Sequence, residues 1–172
     1  MTSNNKQVEK QNTFMRNKQR GAQLLEFNLV YLVIAGLVLA VLSIAPEIKY
    51  QWNLALFQWD ANTIVSTAER WKKRRPDFNG LNIGKLCTEA NLSKSICGSA
   101  NNGQGTNPFG GNWTIGPATN KALISLTGTM PNDTDRVTDI SETMASGTRN
   151  KCIQVSGCST IAKTSNSVTM TY

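Results

Sequence analysis

The chain has 172 residues and no histidine, which removes the commonest general base, the serine–histidine–aspartate triad and every histidine metal ligand. Apolar residues make up 40% of it, yet the mean hydropathy is -0.29, so the apolar residues must be concentrated. The net charge of +7 is uneven too: Lys6, Lys10, Arg16, Lys18 and Arg20 stand against Glu9 within residues 1–21, while the other 151 residues carry 13 basic and 10 acidic side chains. A basic balance gathered in one short stretch is a poor argument for a nucleic-acid groove, and no specific nucleic acid is expected as a partner.

Residues 1–20 are polar, rich in Asn and Gln and without an apolar period, so disorder is expected there. Gly21 ends the stretch. Ala22 to Ala45 is 24 residues, of which the nineteen from Phe27 onward carry no charge. As a helix this segment is about 36 Å long, enough to cross a bilayer core of about 30 Å. The basic residues precede it, which places the N-terminus in the cytoplasm and exports the remainder. A cleaved secretory signal has a shorter apolar core followed by a small-residue site; here Pro46-Glu-Ile-Lys leads into further helical pattern instead. Leu54, Phe57, Ala61, Ile64, Ala68 and Trp71 recur at three- and four-residue steps, one stripe of an amphipathic helix. Ile48, Trp52, Ala55 and Trp59 form a second stripe beside it. The pattern predicts one helix from about Ala22 to Arg75, bent at Pro46 and stopped by Pro76. Trp52, Trp59, Trp71 and Trp113 are expected to fill the core.

Residues 77–111 read as loop, with Asn, Gly and Ser throughout and an Asn107-Pro-Phe-Gly-Gly111 turn. Trp113-Thr-Ile and Ala122-Leu-Ile-Ser-Leu-Thr are short strand patterns. Asp135 to Ala145 reads as a short helix, with Gly147 just past its end. Cys152-Ile-Gln-Val and Ser167 to Tyr172 read as closing strands. The expected class is therefore α+β: a long N-terminal helix packed on a small antiparallel sheet.

The four cysteines, Cys87, Cys97, Cys152 and Cys158, all follow the apolar segment. An even count there fits two disulfides and an oxidising compartment. Zinc needs closer pairs than these. Asp133, Asp135 and Asp139 lack the spacing of a calcium loop and read as a polar turn. No metal, cofactor or catalytic constellation is expected. Arg70, Lys72, Lys73, Arg74 and Arg75 cluster at the end of the long helix, where cations complement its dipole and remain solvated; a contact with acidic loops of a neighbouring copy is the next reading.

Glu26 is the most informative residue. A carboxylate within an apolar span costs about 2.5–3.5 kcal/mol on insertion scales. One account is that it lies at the interface, one turn into the helix. The sharper account gives it a positive partner. Cleavage after Gly21 would expose the Ala22 amine four residues before Glu26, and the amine of a neighbouring copy could neutralise the carboxylate in a helix bundle.

A basic leader ending in Gly21, a glutamate as fifth residue after the cut and an apolar helix of about two dozen residues together resemble a type IV pilin precursor. The resemblance implies that prepilin peptidase cuts between Gly21 and Ala22 and N-methylates Ala22. It also implies that Glu26 acts in assembly, and that the subunits polymerise with themselves through an assembly ATPase and platform machinery. The long leader and the first residue other than Phe are similar to the type IVb branch, although Ala22 is smaller than the usual bulky apolar first residue. The Asn107–Gly111 turn followed by strands is similar to major pilins of conjugative thin pili and bundle-forming pili.

On that resemblance residues 1–21 are a cleaved cytoplasmic leader and 22–45 a transmembrane and fibre-core helix. Residues 46–76 are its amphipathic half, and 77–172 an exported, disulfide-containing globular domain. The expected protein is a structural subunit, not an enzyme. It would wait in the inner membrane and then join an extracellular pilus serving cell–cell contact in conjugation, adhesion or aggregation. The family often carries a disulfide loop near the C-terminus. Short separations favour Cys87–Cys97 and Cys152–Cys158 slightly, the crossed pairings remaining open. The alternatives are a pseudopilin of a type II secretion machine and a single-pass anchored periplasmic domain.

Overall fold

A computed structural model of the chain describes residues 28–73 and 75–172 with their side chains, and residues 3–27 by backbone alone. Helix α1 spans Ser3–Lys72, and its assignment is unbroken through Pro46. It takes in most of the stretch expected to be disordered, where Lys, Gln, Glu and Arg favour helix and neither Gly nor Pro intervenes before Gly21. It ends three residues before the expected Arg75: Arg75 N–H bonds back to the Lys72 carbonyl at 2.6 Å, and Pro76 follows. The chain divides into two compact units, Met1–Lys49 and Tyr50–Tyr172.

The second unit is α+β. Strands β1 (Trp113–Pro117), β2 (Ile124–Thr129), β3 (Ile161–Lys163) and β4 (Ser167–Thr171) make an antiparallel sheet in the order β1-β2-β4-β3. Along β2, buried Ile124, Leu126 and Gly128 alternate with half-exposed Ser125, Thr127 and Thr129, the period-2 signature of a sheet with one covered face. On the other face Thr127 and Thr169 share a hydroxyl hydrogen bond of 2.8 Å across β2 and β4.

The apolar stripe of α1 is part of this core. Leu54, Phe57, Ala61, Ile64, Ala68 and Trp71 are all buried, each large member contributing about 1.5–3 kcal/mol by leaving water. The Phe57 ring stacks on Trp113 with centroids 4.3 Å apart and tilts against Phe109 at 5.3 Å. Gly128 makes this approach possible: a Cβ there would lie 2.5 Å from Phe57 Cζ and 2.8 Å from Trp113 Cζ3. The Asn107–Gly111 turn delivers Phe109. Buried Asn107 accepts the N–H groups of Phe109 and Gly111 on Oδ1 and donates Nδ2 to the Thr129 carbonyl at 2.7 Å.

In this unit two sequence expectations are corrected and a third, the short helix ending at Ala145, is refined. Residues 77–111 are not all loop: α2 (Ile83–Glu89) and α3 (Lys94–Cys97) lie within them. Asn82 caps α2 by accepting Lys85 N–H at 2.9 Å, and buried Leu86, Cys87, Ile96 and Cys97 hold the two turns to the core. Packing and a disulfide stabilise helices too short to persist alone. The run from Cys152 to Val155 is not a strand but part of a bent loop, and β3 begins later, at Ile161. The predicted helix from Asp135 becomes a 3-10 turn (Thr134–Arg136) leading into α4 (Val137–Ala145), whose Val137, Ile140, Ser141, Met144 and Ala145 are buried.

Candidate functional site

The leader, the Gly21–Ala22 bond and Glu26 lie outside the residues described with side chains, as does Arg74. The apolar segment from Asn28 onward is described. Every residue from Asn28 to Lys49 is exposed, including Leu29 at 66% and Leu32 at 73%. An 18-residue window of this helix has mean hydropathy 2.6 with none of it buried, so it is long and apolar enough to cross a membrane. Ser43, its one hydroxyl besides Tyr31, satisfies itself on the Ala40 carbonyl at 2.7 Å.

The second stripe of α1 behaves differently from the first. Trp71 and Trp113 are buried as expected, but Trp52 is 67% and Trp59 71% exposed. The expectation that all four tryptophans fill the core is corrected. The sheet covers one side of the helix, and Trp52 and Trp59 point elsewhere. Trp59 instead lines a groove of about 440 Å³ with Leu56, Asp60, Thr106 and Pro108, among others. Burial raises the Asp60 carboxyl above its ordinary value, and the Trp113 indole N–H facing it opposes the rise. That N–H is buried and reaches no partner at good hydrogen-bond geometry.

The basic cluster at the end of α1 is largely absorbed locally. Arg70 donates to Thr67 Oγ1 at 2.9 Å, and Lys72 donates to the Ala122 carbonyl at 3.2 Å and lies 4.4 Å from the Phe78 ring centroid. Arg75 stacks on Trp71 at 3.8 Å, donates to the Trp71 carbonyl at 2.8 Å and pairs with Glu89 at 3.3 Å. Glu89 also accepts Trp71 Nε1–H at 2.8 Å. The half-exposed Arg75–Glu89 pair adds little stability. The arrangement finishes the helix, with a side-chain cation on its last carbonyls.

Cys87 is bonded to Cys97 and Cys152 to Cys158, with Cα–Cα separations of 5.7 and 6.0 Å, and no cysteine is free. The first bridge is buried and ties α2 to α3. The second closes a loop with five residues between its cysteines, among them Ile153, which is 96% exposed. Sequence reasoning missed this residue because it was assigned to a strand. Tyr172, beyond β4, is paired both ways with the backbone of Ile124 at 2.9 and 3.1 Å. Burial pushes its phenol up to about 12. Among the described residues no three His, Cys, Asp or Glu side chains gather as metal ligands.

No family model, curated protein or solved structure matches the chain.

Proposed function

We propose that the chain is the structural subunit of a type IVb-like pilus, cut after Gly21 and N-methylated at Ala22. It is held in the inner membrane by residues 22–45 until it polymerises with other copies. The observation that carries this reading is the contrast along α1. From Leu29 to Ala45 it is exposed and apolar, whereas from Tyr50 to Trp71 it buries a stripe in a disulfide-bonded α+β unit. A helix that is apolar all round needs lipid or other helices as solvent. A pilin uses both in turn, the bilayer first and neighbouring subunits afterwards. Glu26 then meets the Ala22 amine of another copy in low dielectric. The work of such a chain is assembly rather than turnover, and its partners are itself, prepilin peptidase and the assembly machinery.

The test is the intact mass and N-terminal peptide of the protein from sheared surface fibres, without reduction. The expected species starts at Ala22, carries one added methyl group and lacks four cysteine hydrogens. A chain that still starts near Met1 and is found only in membranes overturns the reading in favour of an anchored periplasmic domain.

A further inference from the structure

We propose that the Cys152–Cys158 loop of one copy of this chain docks in the groove beside Trp59 of the next copy. This head-to-tail contact rests on the pilus reading and specifies a subunit contact outside the apolar helix. The loop presents a knob. Ile153 is 96% exposed, an unusual position for a branched apolar side chain held on a short loop closed by the Cys152–Cys158 bridge. Its surroundings are fixed: Cys152, Val155 and Cys158 pack against the core, and Thr148 and Thr160 share a buried hydroxyl hydrogen bond of 2.9 Å. A knob presented in this way loses little conformational entropy on docking.

The groove presents the complementary hole. Its volume of about 440 Å³ exceeds one isoleucine side chain, and Leu56, Trp59 and Pro108 supply apolar walls beside the Asp60 carboxylate. Exposed Arg149 and Lys151 flank the knob, so the charges complement. Lys94, between the lining residues Ser93 and Ser95, is not part of the lining.

Sheet register places the two features apart. The groove lies at the Trp113 end of edge strand β1, where Thr106 bridges to Asn112 and Asp60 faces Trp113. The knob hangs from the other end of the sheet. Arg149 N–H bonds to the Thr171 carbonyl at 3.0 Å, and Thr171 N–H bonds to the Thr160 carbonyl at 2.8 Å. Thr171 pairs with Ser125 and Ser125 with Gly116, whereas Trp113 pairs with Gly128. A molecule cannot fill its own groove across the sheet. Two different patches on one chain make a heterologous contact, which propagates into a filament unless its rotation closes a ring.

The experiment uses the full chain assembled in cells from a mixture of unlabelled and 15N-labelled copies, with benzoylphenylalanine at position 153. The expected result is mixed-isotope cross-links joining residues 152–158 to residues 53–63 or 93–108. In parallel, Ile153→Asp should lower fibre yield about tenfold or more, with the Ala22 start, both disulfides and the melting temperature unchanged. Cross-links to another protein, or to other parts of the chain, overturn the proposal, as does full fibre yield from Ile153→Asp. If the unaltered chain forms no fibres, the pilus reading falls and this contact falls with it. If it forms fibres and Ile153→Asp forms them equally well, only the contact falls.

Discussion

Phe57 and Trp59 stand two positions apart on one helix and should respond oppositely to truncation. Phe57 is 0% exposed and Trp59 71% exposed. Phe57→Ala deletes a ring stacked on Trp113 at 4.3 Å and tilted against Phe109 at 5.3 Å. Core Phe→Ala changes cost about 3–5 kcal/mol, transfer and cavity terms together, and the lost ring pairs place this site toward the upper end. For a unit the size of residues 50–172, each kcal/mol moves the melting temperature by roughly 3–5 °C. Phe57→Ala should therefore lower it by about 10–20 °C. Trp59→Ala should cost under about 0.5 kcal/mol, because it removes surface that is already in water. The assay is thermal and urea unfolding of the full oxidised chain in detergent, followed by near-ultraviolet circular dichroism. Equal losses in the two variants, or a loss below about 1 kcal/mol for Phe57→Ala, would refute the division of α1 into a buried and an exposed stripe.

Gly128→Ala is expected to destabilise by about 1–3 kcal/mol, since its Cβ would meet the Phe57 and Trp113 rings and both rings are buried. A urea midpoint equal to the parent's would show that the rings can yield. Tyr172 predicts an alkaline limit. Its phenol is raised from about 10 when unfolded to about 12 when folded, so its contribution is complete below pH about 10 and is lost as pH rises toward about 12. The two-unit shift sets an upper bound of about 3 kcal/mol. Urea midpoints across this range should fall less steeply in Tyr172→Phe, and identical slopes would contradict the assignment.

Much of the fold is written as local pattern. The period of 3.6 from Leu54 to Trp71 marks a helix face, and all six residues of that stripe are buried. The strands at Trp113, Ile124 and Ser167 stand out as apolar alternation between turn residues. Within Tyr50–Tyr172 the misassigned pieces are short, whereas residues 3–20, expected to be disordered, join α1. Seven residues of α2 and four of α3 carry too little period to read, and contact with the core and a disulfide decides them. Cys152-Ile-Gln-Val has strand composition, but a bridge to Cys158 bends it away from the sheet. The candidate groove was hidden for another reason: its lining comes from three separated segments, residues 53–63, 93–95 and 106–108.

The sequence by itself determined that a long helix runs from Ala22 to about Lys72, that its segment from Phe27 to Ala45 carries no charge and that its later part has apolar stripes, although not that the helix also takes in residues from Ser3 onward. These properties follow from the order of neighbouring side chains and the geometry of a single helix. Only the tertiary structure decided which stripe the sheet covers, leaving Trp52 and Trp59 in solvent while Phe57 and Trp71 are enclosed. Periodicity records that a face is apolar; what covers that face depends on residues such as Phe109, Trp113 and Gly128, which reach it only after the chain has folded back.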